Sequence, residues 1–267
     1  MLIKNLKYPL VLILILLSVS TIGYSQDIKD NLDKNSLYLF KQNKGQWHKN
    51  ILFKTDLSDG AMFLEKTGIT YAFMDKTYIH SLHSKEKSVD FPRERLKGHN
   101  IKVNFIGANK NPIISQKKES PYYENYFIGN DNTKWVSNVK SFKKLVAENV
   151  YDGIDFVYYI DKNNPRYDFV IEPHASVEQI GLQFLGTEQT ILNEDIIELI
   201  TPRLTIENSN LFAYQIINGI QKQVDCKFVL NGNRISFDVG EYDRTKELVI
   251  DPLIYSSYFG SSGDDIP

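Results

Sequence analysis

The sequence has little of several features that would assign a function directly. Cys226 is the only cysteine, so no intrachain disulfide can form and stability has to come from a hydrophobic core. The 31 basic and 33 acidic residues nearly balance, which argues against a nucleic-acid-binding protein with a strongly basic face. After the N-terminal segment, no apolar run reaches the roughly 20 residues that cross a bilayer.

Motifs of known chemistry are scarce as well. The chain lacks a Gly-x-Ser-x-Gly nucleophile motif and a Gly-rich phosphate loop followed by a helix. Cys226 lies in a strand-like alternation without a paired base, and His80 and His83 lack the further ligands that a zinc site needs. We therefore predict a non-enzymatic protein with no catalytic residue, no cofactor and no nucleic-acid partner.

The first 25 residues have the pattern of a secretory signal. Lys4 and Lys7 precede the apolar run Leu10–Leu17, and small residues at Gly23 and Ser25 suit signal-peptidase cleavage after Ser25. The sequence predicts a signal peptide at 1–25, a flexible segment at 26–36 and no membrane span after cleavage. The expected location is secreted or at the cell surface.

The rest of the chain is typical of an all-β protein. Short alternating segments recur every 8–12 residues, with many Tyr and Phe and with turns at Asn, Asp and Gly. Asn231-Gly232-Asn233 predicts a tight hairpin, and Ser176–Ile180 predicts one short helical turn. Strands are predicted at 37–42, 51–56, 61–65, 68–74, 102–106, 136–139, 144–148, 154–160, 166–171, 181–185, 196–200, 204–206, 212–217, 221–230, 234–239 and 248–250.

These strands predict a β-sandwich-like fold with very little helix. Residues 101–108 and 180–187 echo each other, since both alternate and end in Phe, an aliphatic residue and Gly. The echo suggests two packed antiparallel β lobes, 37–128 and 129–252, within one all-β domain at 37–252. Residues 253–267 contain a strand and a Gly-rich turn with no following partner, which indicates the start of a truncated repeat.

Four carboxylates around the segment Tyr151–Tyr159 are candidate metal ligands. Asp152, Asp155, Asp161 and Asp168 could hold Ca²⁺ through oxygen, or a pair of them could act in glycoside hydrolysis. Neither activity has its diagnostic spacing here, and Asp152-Gly153 also suits a simple turn. A structural role is favoured, so no metal site is predicted.

A second candidate is the aromatic segment near residue 125. Tyr122, Tyr123, Tyr126 and Trp135 could stack a sugar ring, or they could pack in a core or an interface. Packing in a core or an interface is the favoured interpretation, and a glycan site is the alternative.

Seven segments in fixed order resemble a known family. They are residues 43–46, 125–130 with Trp135, 150–159, 167–175, 184–186, 239–244 and 248–252. Together they resemble the uncharacterised N-terminal β domain that precedes SBBP-type β-propeller repeats in secreted bacterial surface proteins, including gliding-motility-associated proteins of Bacteroidetes. The resemblance covers about 38–252, and residues 253–265 resemble the first strand and turn of a propeller repeat.

The resemblance implies a non-enzymatic structural or capping domain of an exported surface or extracellular repeat protein, supporting adhesion or surface interaction. Its implied partners are downstream β-propeller repeats of the same protein and an extracellular glycan or protein. The alternative function is a carbohydrate- or Ca²⁺-dependent binding module.

Overall fold

The computed structural model of the protein describes residues 38–57, 60–74, 98–161, 164–202, 205–208 and 211–252. The predicted signal peptide, the segment 26–36 and the repeat start 253–267 lie outside these residues, as do His80 and His83. Strands contain 66% of the described residues and helical turns 3%, which confirms the all-β prediction. The strands are β1 (Phe40–Gln42), β2 (Ile51–Leu57), β3 (Gly60–Glu65), β4 (Gly68–Met74), β5 (Gly98–Phe105), β6 (Ile113–Tyr126), β7 (Val136–Tyr151), β8 (Ile154–Asp161), β9 (Asn164–Ile171), β10 (Leu182–Leu185), β11 (Gln189–Asn193), β12 (Ile196–Ile200), β13 (Thr205–Asn208), β14 (Phe212–Ile217), β15 (Ile220–Val224), β16 (Cys226–Asn231), β17 (Arg234–Val239) and β18 (Leu248–Asp251).

Helical structure in the described residues is limited to two 3₁₀ turns, Asn132–Lys134 and Val177–Gln179. The second confirms the turn predicted at Ser176–Ile180, but Ser176 does not cap it with its side chain. The Ser176 hydroxyl donates instead to the Glu178 carboxylate. The predicted hairpin is also present, since Asn231 pairs with Arg234 and Gly232 has a φ of +62°.

A single antiparallel sheet holds fifteen of these strands. Its order is β15-β14-β18-β9-β8-β7-β1-β2-β3-β4-β5-β10-β17-β16, and β6 pairs with β7 outside this path. β7 has β6 along one edge, so β8 and β1 must share its other edge. β8 and β1 therefore lead into two different parts of the sheet from the same long strand.

These two parts face each other across one core. Phe156 of β8 and Phe169 of β9 lie 4.6 Å apart by ring centroid, and both contact Phe105 of β5, at 4.8 and 6.3 Å. Phe169 also contacts Phe237 of β17 at 5.8 Å. Because β5 and β17 lie far from β8 and β9 along the sheet, the sheet folds over into a sandwich-like arrangement.

The segments assigned to two lobes share this sheet. β1 pairs with β7, and β5 pairs with β10, so hydrogen-bonded ladders join 37–128 to 129–252. The two echoing segments are themselves neighbours, since Phe105 pairs with Leu182 and Val103 with Phe184. The two end strands of the sheet, β15 and β16, are consecutive in the chain and separated by Asp225 alone. The two ends of the sheet order therefore meet at this residue. A smaller sheet, β11-β12-β13, adds Ile197 and Leu199 to the core.

Candidate functional site: an aromatic surface on the β6–β7 hairpin

The β6–β7 hairpin ends in a structured tip. Asp131 Oδ1 accepts hydrogen bonds from the Thr133 backbone N–H at 3.1 Å and from its hydroxyl at 2.6 Å, which caps the first 3₁₀ turn. The Trp135 indole N–H donates to the Gly129 carbonyl at 3.2 Å, and the Trp135 ring lies 5.4 Å from that of Phe127. Gly129 has a φ of +74°, which a glycine adopts without strain. These contacts fix the orientation of the tip aromatics.

The connection between β1 and β2 is organised by one side chain. The Asn43 amide nitrogen donates to the carbonyls of His48 and Ile51 at 3.0 and 2.7 Å. Its carbonyl oxygen accepts from the backbone N–H groups of Gly45 and Trp47 at 3.0 and 3.2 Å. The Asn43 side chain thus makes hydrogen bonds to the backbone of this loop in place of strand pairing, and it holds Trp47 in position.

The loop and the hairpin meet in space. The Trp47 ring contacts Tyr126 edge-on at 5.5 Å. Lys44 Nζ donates to the Ser137 carbonyl at 2.9 Å. The segments 43–47 and 125–135, about 80 residues apart in the chain, therefore form one surface.

An ion-pair network anchors this surface to the sheet. Lys41, only 8% exposed, bridges Asp56 Oδ2 at 3.0 Å and Glu124 Oε1 at 2.9 Å. Lys54 pairs with Asp56 Oδ1 at 2.6 Å, and the Tyr126 hydroxyl donates to Glu124 at 2.6 Å. The network connects β1, β2 and β6.

The protonation states in this network are set by competing effects. Burial lowers the pKa of Lys41, but its hydrogen bonds to Glu124 and Asp56 outweigh burial and raise the pKa above its usual value. Burial likewise raises the pKa of Asp56, but the two lysines more than offset it and the pKa falls. Burial and the Glu124 carboxylate raise the pKa of Tyr126. Lys41 is therefore protonated, Asp56 ionised and the Tyr126 hydroxyl neutral at neutral pH.

The tip exposes an unusual amount of apolar surface. Of ten exposed large hydrophobic side chains among the described residues, five lie at positions 122–135. They are Tyr122 (54% exposed), Tyr123 (62%), Phe127 (58%), Ile128 (71%) and Trp135 (45%). We call these five, with Trp47 and Tyr126, the aromatic surface. A concentration of exposed apolar side chains on one part of a protein often marks an interaction site.

All four predicted stacking residues lie on the β6–β7 hairpin, but they are not stacked on one another. Tyr126 packs on Trp47, and Trp135 packs on Phe127. Tyr122 and Tyr123 are consecutive on β6 and exposed. Sequence reasoning missed Trp47 and Lys41. Phe127 lies in the aromatic segment and in the resemblance segment 125–130, but it was not among the predicted stacking residues.

A groove opens beside the aromatic surface. It has a volume of about 570 Å³ and lies between the β1–β2 loop and β6. Trp47, Gln42, Lys49 and Gln116 are among the residues that line it. Side chains of this kind can stack on a sugar ring and hydrogen-bond its hydroxyls.

The four candidate metal ligands lie apart. Asp152 is in the β7–β8 turn, and Asp155 Oδ1 accepts from the Asn149 backbone N–H at 2.8 Å. Asp161 lies six residues further along β8 than Asp155, which is about 20 Å in an extended strand. Asp168 accepts from the Tyr159 hydroxyl at 3.1 Å. Within the described ranges, no three His, Cys, Asp or Glu side chains are grouped so that they could hold a metal ion.

Cys226 lies on β16 and is half-buried. Burial, with a contribution from Asp238, raises the pKa of its thiol to about 12. The thiol is therefore protonated at neutral pH, which agrees with its interpretation as a strand residue.

The fold and the aromatic surface define an all-β, sandwich-like domain with an exposed aromatic hairpin. The family model described as a domain of unknown function (DUF7948) matches residues 40–253, and the chain belongs to this family. No match was found among curated proteins or among solved structures. In the part of the chain that the structure describes, no helix has the length and apolarity needed to cross a bilayer.

Proposed function

We propose that this protein is a non-enzymatic domain of an exported bacterial surface or extracellular protein, and that it supports adhesion or surface interaction through the aromatic surface. The observation that carries the proposal is the group of exposed aromatic side chains on a hairpin fixed by the Lys41 network. Interfaces concentrate their binding energy in aromatic residues held rigidly in this way.

An adhesion assay tests the proposal. Beads coated with the protein are expected to bind the surface to which the producing bacterium attaches. The double variant Phe127→Ala/Trp135→Ala should lose most of this binding. Ile220→Ala removes an equally exposed apolar side chain on β15 and serves as the control. Equal adhesion by the wild type and the double variant would contradict the proposal.

The proposal that the protein is exported rests on residues 1–25, whose pattern is that of a signal peptide. The mature protein should begin at Gln26. Mass spectrometry of protein recovered from the producing bacterium measures this directly, and an intact Met1 in the exported fraction would be the opposing result.

The resemblance to domains that precede SBBP-type repeats supports a capping role toward downstream β-propeller repeats. Repeat arrays leave ends that a packed domain can cover. The melting temperature of residues 26–252 should rise when the following repeats are attached, and equal melting temperatures would refute the capping role.

A carbohydrate-binding module is the second candidate. The groove beside Trp47 and the exposed tip aromatics favour a sugar ligand. The separation of Asp152, Asp155, Asp161 and Asp168 gives the Ca²⁺-dependent version no such support.

A further inference from the structure

The aromatic surface lies in a basic part of the described chain. The segments 41–56 and 113–144, which form the β1–β2 region and the hairpin, contain ten lysines and four acidic residues. The whole protein has a formal net charge of −2. The positive charge is therefore local to this surface.

Ion pairing engages every acidic residue of these segments and leaves six lysines in excess. All four acidic residues of these segments are held by lysines: Asp56 by Lys41 and Lys54, Glu124 by Lys41, Asp131 by Lys134 and Glu119 by Lys140. The remaining lysines lack a carboxylate partner among the described residues; they are Lys44, Lys49, Lys117, Lys118, Lys143 and Lys144. Lys144 acts on the carboxylate of Asp168, and Lys44 donates to the Ser137 carbonyl. The charges of Lys49, Lys117, Lys118 and Lys143 are available to a partner.

Two of these lysines are placed against each other. Lys117 of β6 pairs directly with Lys144 of β7 in the antiparallel ladder. Like charges at directly opposite positions destabilise a sheet. An anion bound beside Lys117 would relieve this repulsion.

The shape of the basic region favours a polymer over a single small anion. β6 has 14 residues, so the strand extends over at most about 45 Å. Lys49 beside the groove, Lys117 and Lys118 in the middle of β6 and the aromatics at the tip are spread over this region. Sugar rings offer apolar faces to aromatics, and their acidic groups would meet the lysines.

We propose that the partner of the aromatic surface is an anionic polysaccharide, a chain of uronate-type sugars whose rings contact the tip aromatics and whose carboxylates contact the unpaired lysines. This inference rests on the proposed function, since it identifies the chemistry of the partner at the same surface.

The test compares polygalacturonate with its methyl ester, which keeps the sugar rings but removes the charge. The full chain is expected to bind the charged polymer at least tenfold more tightly, and added salt should weaken this binding. Lys117→Gln, Lys118→Gln and Lys143→Gln together should reduce affinity about tenfold, because each exposed ion pair contributes modestly. Lys222→Gln, Lys227→Gln and Lys246→Gln remove the same charge from exposed positions elsewhere and should leave affinity unchanged.

The outcomes separate this inference from the proposed function. Equal binding of the acid and the ester, lost in Trp135→Ala but not in the lysine variant, would overturn the anionic partner and leave the adhesive surface intact. Absence of binding to polygalacturonate would also overturn it. Single-stranded DNA and anionic phospholipid vesicles are the comparison probes. If either binds as tightly as polygalacturonate, with the same dependence on the lysines, the polysaccharide assignment is wrong.

Discussion

Lys41 is the residue through which the hairpin is tied to the neighbouring strands. Its ammonium group lies between Asp56 of β2 and Glu124 of β6, and its side chain is 10% exposed. A buried charge that loses its partner costs far more than the pair contributes. Lys41 should therefore be the least replaceable member of the network.

Replacing Lys41 by Met keeps the length of the side chain but leaves Glu124 without a cation. We expect the free energy of unfolding to fall by about 2–3 kcal/mol, less than for a fully buried pair because Glu124 stays partly exposed. Lys54→Met is the matched control with a smaller loss, since Asp56 keeps Lys41. Urea denaturation measures both variants, and equal losses would contradict the central position of Lys41.

Asp168 is a carboxylate in an unfavourable position. β18 pairs with β9, and the pairing of Ile250 with Phe169 places Asp251 of β18 opposite Asp168 of β9. Burial and then the Asp251 charge raise the pKa of Asp168 to about 6, although Tyr159, Arg166 and Lys144 act in the opposite direction. Arg166 is engaged by the other carboxylate, Asp251, in an ion pair.

This raised pKa predicts a pH dependence of stability. Because the pKa of Asp168 is higher in the folded state than the usual 3.8, folding favours its protonated form. Its contribution to stability is therefore fully present below about pH 4 and is lost as the pH rises through about 6. Asp168→Asn should remove this loss and raise stability at pH 7.5 by about 1 kcal/mol, after allowance for solvent screening.

Thermal melting of the wild type and of Asp168→Asn between pH 4 and pH 8 measures the effect. The two melting temperatures should nearly coincide at pH 4, separate as the pH rises from 4 to 6, and differ by a nearly constant amount from pH 7 to pH 8. Asp161→Asn, at the exposed end of β8, is the control and should follow the wild type. A constant difference across this pH range would rule out titration of Asp168 as the cause.

At the scale of elements, the loop between β17 and β18 depends on one buried amide. Gln215 of β14 donates through Nε2 to the Asp243 carbonyl at 2.9 Å and the Glu247 carbonyl at 3.1 Å. Its Oε1 accepts from the Asp243 backbone N–H at 2.9 Å. Because Gln215 is only 4% exposed, water has little access to the loop carbonyls and N–H group that it binds, and could not readily substitute for its amide.

Gln215→Met should therefore release this loop. The expected loss is on the order of 3 kcal/mol, because more than one buried polar group is left without its partner. Hydrogen exchange should be faster at the Asp243 N–H than in the wild type. Gln223→Met, on the exposed β15, gives the control; unchanged exchange in Gln215→Met would show that the loop is held by other contacts.

The strands that the sequence predicts are those with one buried face. Ile154, Phe156 and Tyr158 alternate with less buried residues, and β8 is present where alternation predicts it. β6 escapes prediction because its residues are mostly exposed and Pro121 interrupts it, so it has no period of two. Exposure and an internal proline are typical of an edge strand.

The candidate site was predictable only in part. The composition of residues 122–135 already indicates an aromatic cluster. The contact between Trp47 and Tyr126 depends on β1 pairing with β7, which no local pattern specifies. The single predicted strand 221–230 is in fact β15 and β16, separated at Asp225, because the chain passes there from one end of the sheet to the other.

At the scale of the whole described domain, one core joins both halves of the chain. Phe105 comes from the segment before residue 129, whereas Phe156, Phe169 and Phe237 come from the segment after it. Separating the halves would expose both this core and the paired edges of β1 and β5. Neither half then has a core of its own to unfold independently.

The domain should accordingly unfold in a single cooperative transition, with the calorimetric and van't Hoff enthalpies in agreement. Phe105→Ala and Phe169→Ala alter the two halves separately, and each should lower stability by about 3–5 kcal/mol through loss of burial and the cavity left behind. The rings of Phe105 and Phe169 are in contact, so the first truncation already removes contacts of the second ring. The loss of stability in the double variant should therefore be smaller than the sum of the two single losses. Differential scanning calorimetry of the full chain checks this. If Phe105→Ala lowered one of two resolved transitions and left the other in place, the halves would be independent lobes despite their shared sheet.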